Sequence, residues 1–343
     1  MVVKIGINGY GTIGKRIADA LTRFQDFIVT GIVKTKPDYG AFIAKSKGFK
    51  IYSIRENIDL FKKSNIEIEG SIEDLIEESD LIIDTTPGGL GRSYLHTLYS
   101  KYGKSIIFQG GEKHDIVETS FNSICNYEEA FNKKYVRVVS CNTTGLLRII
   151  CLIDEEIGVE KVKAVIVRRG ADPKEDTRGP INSIVLDPPQ IPSHHAIDVK
   201  TVLPKLDIET IAFAVPSTLM HVQYLNIFLK EKTSLDRIIE IFSKVKRIQL
   251  VNAKETGLDS TSKLIEYARD KGRYRYDIPE NIVWLDTMKI DNKELTLVQA
   301  IHQESIVIPE NIDAVKSITG LERDKWKAIR DTDEKLGLGN LFK

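Results

Sequence analysis

Apolar positions follow two rhythms along the chain. Over the first 140 residues, short and nearly continuous apolar runs recur at 2–8, 27–34, 80–86 (DLIIDTT), 104–109 (KSIIFQ) and 135–140 (YVRVVS). Runs of that length and density predict strands buried on both faces of a parallel sheet. Helices are predicted between them, over 13–24 and over 71–79, the latter opening on the capping pattern Ser71-Ile-Glu-Asp74. Strands alternating with helices predict a doubly wound, Rossmann-type α/β domain.

Beyond residue 141 the rhythm changes. Longer β-type segments cover 159–169, 219–230, 281–286 and 294–302, the last after an Asp291-Asn292 turn, with helices over 235–245 and 260–271. Long strands with helices between them predict an antiparallel or mixed sheet covered on one face, an α+β second domain. From Pro309 the pattern is helical again and is expected to fold back on the first domain. The expected organisation is 1–140, 141–303, and a helical segment 304–343 packed on the first domain, a length that suits two cores.

Charge adds only exclusions. The 49 basic and 49 acidic residues cancel, so no net field argues for nucleic acid or a membrane surface as partner. The longest apolar stretch, 146–153, is interrupted by Arg148 and is far too short to cross a bilayer. The chain runs from Met1 directly into a strand, which leaves no room for a leader. Three cysteines, Cys125, Cys141 and Cys151, form no metal-type spacing and no even-numbered framework. Cys141 and Cys151 lie on one predicted helix about 15 Å apart, beyond disulfide reach. A reducing, cytoplasmic setting is expected.

Two segments carry chemistry. Gly9-Tyr-Gly11-Thr12-Ile13-Gly14 is a G-x-G-x-x-G that follows an apolar strand and opens a helix, the context in which this pattern holds a dinucleotide. Gly9 would allow the tight turn, Gly11 the approach of a pyrophosphate to the helix N-terminus, and Gly14 close helix–sheet packing. A strand that prefers NAD ends in an acid for the ribose 2′-hydroxyl. This one ends in Lys34 and Thr35, with Asp38 only after Pro37, which predicts use of NADP as well as NAD. The second segment is Ser140-Cys141-Asn142-Thr143-Thr144, where a buried strand meets a helix. Orphan N–H groups and the positive helix end there are expected to lower the thiol pKa and to hold an oxyanion once the thiolate attacks a carbonyl.

The chain closely resembles phosphorylating glyceraldehyde-3-phosphate dehydrogenases, in particular their archaeal branch. The shared stretches span nearly the whole length: INGYGTIGKR, DTTPGG, FQGGEK, VVSCNTTGLLR, VRRGAD, PSHHA, TLMHVQ and HQESIVIPENIDA. The resemblance implies a homotetramer that converts D-glyceraldehyde 3-phosphate and inorganic phosphate to 1,3-bisphosphoglycerate while reducing NAD(P). It implies Cys141 as nucleophile, with Ser140, Asn142, Thr143, His195 and Ala196 at the substrate. It also implies Thr12, Ile13, Gly111 and Gln303 at the cofactor. Arg168 and Arg169 end one strand, and alternation sends them to opposite sides. Arg169 matches the family's cofactor-side position, leaving Arg168 for substrate or phosphate.

One departure concerns the base. Bacterial and eukaryotic members carry a histidine soon after the cysteine, whereas here none lies between Cys141 and His194. The candidates are His194, His195 and His221; the archaeal resemblance favours His221, in a long strand expected to cross the site. The His194-His195 pair brings no third ligand at helix or turn spacing, so no metal is expected. Two other readings stand beside this one. An aspartate-semialdehyde dehydrogenase would share the Cys–His chemistry but needs an arginine clamp for a carboxylate. A nucleotide-sensing regulator would keep the fold without the reaction.

Overall fold

The computed structural model of the protein describes residues 2–109, 111–175, 177 and 179–342. Two compact units result, Met1–Ser140 with Ile308–Leu336, and Cys141–Val307 with Gly337–Lys343.

In the first unit the strands are β1 (Val3–Asn8), β2 (Phe27–Val33), β3 (Ile51–Ser53), β4 (Gly70–Ser71), β5 (Leu81–Asp84), β6 (Ser105–Gln109), β7 (Thr119–Phe121) and β8 (Tyr135–Val138). They form one sheet in the order β4-β3-β2-β1-β5-β6-β8-β7, parallel at every pairing. This is the doubly wound sheet that the apolar runs predicted. The order reverses at β1, flanked by β2 and β5, and ligands of such sheets bind beyond the carboxyl ends at that point. β3, β4 and β7 escaped the pattern because two or three residues are too few to show a period. The helix Ile72–Glu78 starts with the predicted device: the Ser71 hydroxyl accepts from Asp74 N while Asp74 accepts from Ser71 N.

The helices Ile308–Ile318 and Lys325–Leu336 belong to this unit. Ile308–Ile318 is buried at every position, so its polar residues need partners. Glu310 accepts from the backbone and hydroxyl of Ser123 at 2.7 and 2.6 Å, and Lys316 donates to Asp331, Thr332 and the Ala328 carbonyl.

The second unit is a mixed sheet, again as the long β-segments predicted. Its strands are β9 (Val159–Arg169), β10 (Val185–Leu186), β11 (Asp207–Val215), β12 (His221–Leu229), β13 (Ile248–Val251), β14 (Asn281–Trp284), β15 (Lys289–Asp291) and β16 (Glu294–Ile301). Their order is β10-β11-β9-β12-β16-β14-β13, with β15 on β16. β11 was not foreseen; it lies parallel to β9. The helix Cys141–Glu156, buried from Asn142 to Ile153, packs on this sheet. A Cβ at Gly145 would come within 3.0 Å of Ile301 and 3.2 Å of Gln223, so a glycine lets helix and sheet approach. The last residues return here: Leu341 joins a core with Leu264 and Trp284, and Gly339 N donates to Glu280. The segment 304–343 is therefore divided between the units, because its apolar end finds its core in the second.

Candidate active site

The glycine loop has the geometry a dinucleotide needs. Gly9 adopts φ +102°, a left-handed conformation that favours glycine. A Cβ on Gly14 would lie 2.0 Å from the Gly9 carbonyl, while one on Gly11 would meet nothing within 4 Å. Gly14 thus closes the turn, and Gly11 presents bare backbone outward. The helix Gly14–Leu21 has no side-chain cap at Ile13, so its positive end is left for an anionic ligand. Thr12 and Ile13 sit half-buried beside it. Gly111 packs backbone to backbone against Gly88, where a Cβ on either residue would clash with the other.

At the end of β2 the picture changes. Lys34 is not a lone cation: its ammonium bonds Asp38 at 2.8 Å. Asp38 also caps the helix Tyr39–Ser46, accepting from Gly40 N and Ala41 N. Burial would raise the Asp38 carboxyl, but Lys34 and those two N–H groups outweigh it and hold the carboxyl below its ordinary value. The acid missing from the strand end is thus returned by the loop after Pro37. Thr35 is exposed beside the pair.

In the second unit, Cys141 begins the helix Cys141–Glu156 and is half-buried. It is the free cysteine; Cys125 and Cys151 are disulfide-bonded. That oxidation removes the support the cysteine count gave to a reducing compartment, although intracellular proteins of hyperthermophiles do keep disulfides. The thiol pKa also departs from expectation. Burial pushes it up from its ordinary value, against the opposing pull of Arg168, Arg169 and the N–H groups of Asn142 and Cys141. The helix start acts in the expected direction and is outweighed.

His221, buried at the start of β12, accepts at Nδ1 from the Arg169 backbone N–H at 2.9 Å. A neutral ring with Nδ1 occupied in that way carries its proton on Nε2. Its pKa is driven well below the ordinary value by burial, then by Arg168, Arg169, His195 and His302. In that arrangement the neutral ring presents Nε2–H as a donor. His195 is buried, with its pKa pushed down to about 3 by burial, His194 and Arg168. Its nitrogens lie 3.2 Å from Asn142 Nδ2 and 3.3 Å from Ser193 Oγ. His194 is exposed and stacks on it at 3.9 Å.

Comparison with known proteins decides the family. Residues 140–278 match the model for the glyceraldehyde 3-phosphate dehydrogenase C-terminal domain, and residues 3–120 that for the dihydrodipicolinate reductase N-terminus. A protein named glyceraldehyde-3-phosphate dehydrogenase from Sulfurisphaera tokodaii is 52% identical over 336 residues, covering 98% of this chain and 97% of its own. Proteins of the same name from Sulfolobus acidocaldarius and Hyperthermus butylicus are 51% and 52% identical over 98% of this chain, covering 98% and 97% of their own. The chain belongs to the glyceraldehyde-3-phosphate dehydrogenase family. It is accordingly an NAD(P)-dependent oxidoreductase.

Within this dehydrogenase, several residues assigned singly prove to be joined. Arg169 pairs with Glu304 at 2.8 Å and with Asp172, and Gln303, with its carboxamide oxygen toward the guanidinium, accepts from Nη2 at 2.8 Å. Arg168 pairs with Asp187, while its buried Nε has no partner. The Thr143 hydroxyl donates to Asp198 at 2.5 Å, and Ala196 N donates to Thr210. Sequence reasoning noted Asp38 without its pairing to Lys34 and missed Asp187 and Glu304, since ion pairs made by chain reversal leave no local signal. Asp277, His302 and Glu304 form the one grouping tight enough for a cation among the described residues. Glu304, however, is neutralised by Arg169, and His302 Nδ1 is engaged by Ser305 at 2.7 Å and Ile278 N.

Two outcomes follow for the nucleotide half. Gly11→Ala should leave the urea midpoint within about 0.5 kcal/mol of wild type, as a substitution into open space, yet weaken NAD(P) at least about tenfold by obstructing backbone approach. Gly14→Ala should lower both; equal effects of the two on stability would contradict the geometry. Asp38→Asn should release Lys34 and shift preference toward NADP by about tenfold, the worth of one charge-assisted contact. Fluorescence titration with both nucleotides checks this.

Proposed function

We propose that the protein oxidises D-glyceraldehyde 3-phosphate to 1,3-bisphosphoglycerate at Cys141, with NAD or NADP as oxidant and inorganic phosphate as co-substrate. The observation that carries this reading is the free thiol at a helix start, within the electrostatic reach of Arg168 and Arg169. The sequence Gly9–Gly14 with Thr12, Ile13 and Gly111 would hold the cofactor, and Lys34 with Asp38 would meet its 2′ position. A bound nicotinamide would supply the hydride acceptor for oxidation of the carbon joined to Cys141.

The chain's own groups set up the rest. The thiol gives its proton to solvent, and the thiolate attacks the aldehyde carbon. The aldehyde oxygen becomes an oxyanion, which the Nε2–H of His221 and the N–H groups at the helix start are suited to hold. The thioester then takes inorganic phosphate at the same carbon, and the thiolate departs past the same donors. Of the groups offered for phosphate, Thr143 spends its proton on Asp198 and His195 has both nitrogens occupied. Arg168 keeps a buried Nε without a partner and is the cationic candidate for phosphate. An amino-acid carboxylate clamp would ask for uncommitted guanidinium groups, whereas Arg168 pairs with Asp187 and Arg169 is committed to Glu304, Asp172 and Gln303.

A homotetramer in the cytoplasm fits this reading. Ile181, Ile184, Val185, Leu186, Ile191 and Ile197 are all exposed, Ile181 at 83%, and such a concentration of apolar surface marks an association site. Among the described residues no helix is long and apolar enough to cross a membrane.

Cys141→Ser should reduce turnover on the order of 10³-fold or more while nucleotide titration is unchanged. Residual activity above a tenth would remove Cys141 from the reaction. Because burial raises the thiol pKa, the thiolate is the minor form at neutral pH and increases with pH up to that pKa. Alkylation by iodoacetamide and kcat/KM should therefore both rise together past the ordinary thiol range. His221→Ala should lower kcat by about 10²–10³, as for a lost oxyanion donor, and leave the alkylation profile in place. A large displacement of that profile would mean that the ring forms an ion pair with the thiolate.

A further inference from the structure

Four polar side chains lie in the middle of the second unit with no solvent exposure: Arg148, Asn281, Gln299 and Gln223. Gln223 on β12 and Gln299 on β16 are register partners, and Asn281 stands on the next strand, β14. The helix Cys141–Glu156 contributes Arg148 and Asn142. These groups form a single file. Arg148 Nη1 reaches Asn281 Oδ1 at 3.3 Å; Asn281 Nδ2 reaches Gln299 Oε1 at 2.8 Å. Gln299 Nε2 reaches Gln223 Oε1 at 2.8 Å, and Gln223 Nε2 reaches both Asn142 Oδ1 at 3.1 Å and Asn142 O at 3.0 Å. Asn142 Nδ2 then lies 3.2 Å from His195 Nε2.

The direction of this file is not arbitrary. A guanidinium has donors only, whereas each carboxamide has one accepting and one donating end. Arg148 makes Asn281 accept at oxygen, so its nitrogen must donate onward, and the same holds at each amide in turn. At the far end His195 Nε2 must accept, which puts the proton of the neutral ring on Nδ1, toward Ser193 Oγ at 3.3 Å. Ser193 in turn meets Thr210 Oγ1 at 2.7 Å. Side branches tie the same amides to the first turns of the helix: Asn281 Nδ2 and Gln299 Nε2 both donate to the Gly145 carbonyl, at 2.8 and 3.0 Å.

We propose that Gln223 is a positioning residue for the reaction at Cys141. As the glutamine that hands the donor file from Arg148 on to Asn142, it fixes the orientation of the Asn142 carboxamide, the tautomer of His195 and the first turn of the helix that carries the thiol. The kinetic part of this inference rests on Cys141 being the nucleophile; the proton arrangement does not.

Neutron diffraction from crystals of the full-length wild-type protein reads the arrangement directly. Deuterium is expected on His195 Nδ1 and not on Nε2, with the Asn142 ND₂ group toward His195. Deuterium on Nε2, or the amide reversed, would overturn the file whatever the enzyme's substrate. Gln223→Glu supplies the second arm. A carboxylate cannot donate to Asn142, so the Asn142 amide should turn its nitrogen to the new carboxylate and its oxygen to His195. The ring would then gain a proton on Nε2 and titrate within about pH 5–8, the range of an ordinary imidazole. The expected result is kcat lower by about ten- to hundredfold, as for a misplaced reacting group, and a new ionisation in the pH profile of kcat/KM. Gln223→Met, of similar shape and without either end, should show the loss in kcat without the new ionisation. Matching pH profiles and kcat in wild type and Gln223→Glu would overturn the positioning role.

Discussion

Arg148 is fully buried in the helix that begins at Cys141, and because a guanidinium can only donate, every group around it has to accept. That single constraint orders the interior of the second unit. The carbonyls of Pro279 and Ile306 and the Asn281 carboxamide take the donors, which ties the helix to β14 and to the segment that follows β16. A buried polar group left without a partner costs about 1–3 kcal/mol, so the alternative amide orientations, each of which would set donor against donor, are excluded at every link. Rigidity is the result. The helix start, whose N–H groups are the chemical asset of the site, is held from beneath by groups that cannot rotate independently.

The parts of this protein that a linear reading reaches are those whose signal is local. Gly9 needs its positive φ and Gly14 its lack of a Cβ beside the Gly9 carbonyl, while Gly11 stands in open space. The apolar runs at β1, β2, β5, β6 and β8 announce a parallel sheet because both faces are covered. β11, nine residues long, went unrecognised. Its sequence, DIETIAFAV, mixes charge into the alternation, and its outward-facing half is polar enough to pass for a loop. The polar file was missed for the opposite reason. In β12 the buried positions are His221, Gln223, Leu225, Ile227 and Leu229, so two polar residues occupy inward places. A polar residue at an inward position of an otherwise regular strand is the signal that would have found it.

What sequence could not reach is pairing between distant segments. Lys34 looked like a free cation because Asp38 lies beyond a proline, yet the turn after Pro37 brings the carboxylate back to 2.8 Å. Arg169 and Gln303 were read as two separate cofactor contacts and prove to bond each other. In both cases the electrostatic state differs from the one read off the sequence. A cation paired with a carboxylate attracts a phosphate far less than a bare one, and the discrimination it provides becomes a matter of which partner it keeps.

The same correction applies to the thiol and explains why its neighbours are arranged as donors. A helix start stabilises negative charge, and two arginines do so further, but removing the sulfur from water works against ionisation more strongly than these favour it. A thiol in that balance is neutral at rest. An imidazole whose Nδ1 accepts from a backbone N–H cannot take a second proton there without opposing donor to donor. In the proposed mechanism both groups stay uncharged until a carbonyl arrives, and the fixed N–H groups meet their charge only when the oxyanion forms. Donors held in place before reaction need no reorganisation at that moment. The burial that makes Cys141 a reluctant thiolate is the burial that makes those donors strong, since each acts in a medium far less polarisable than water.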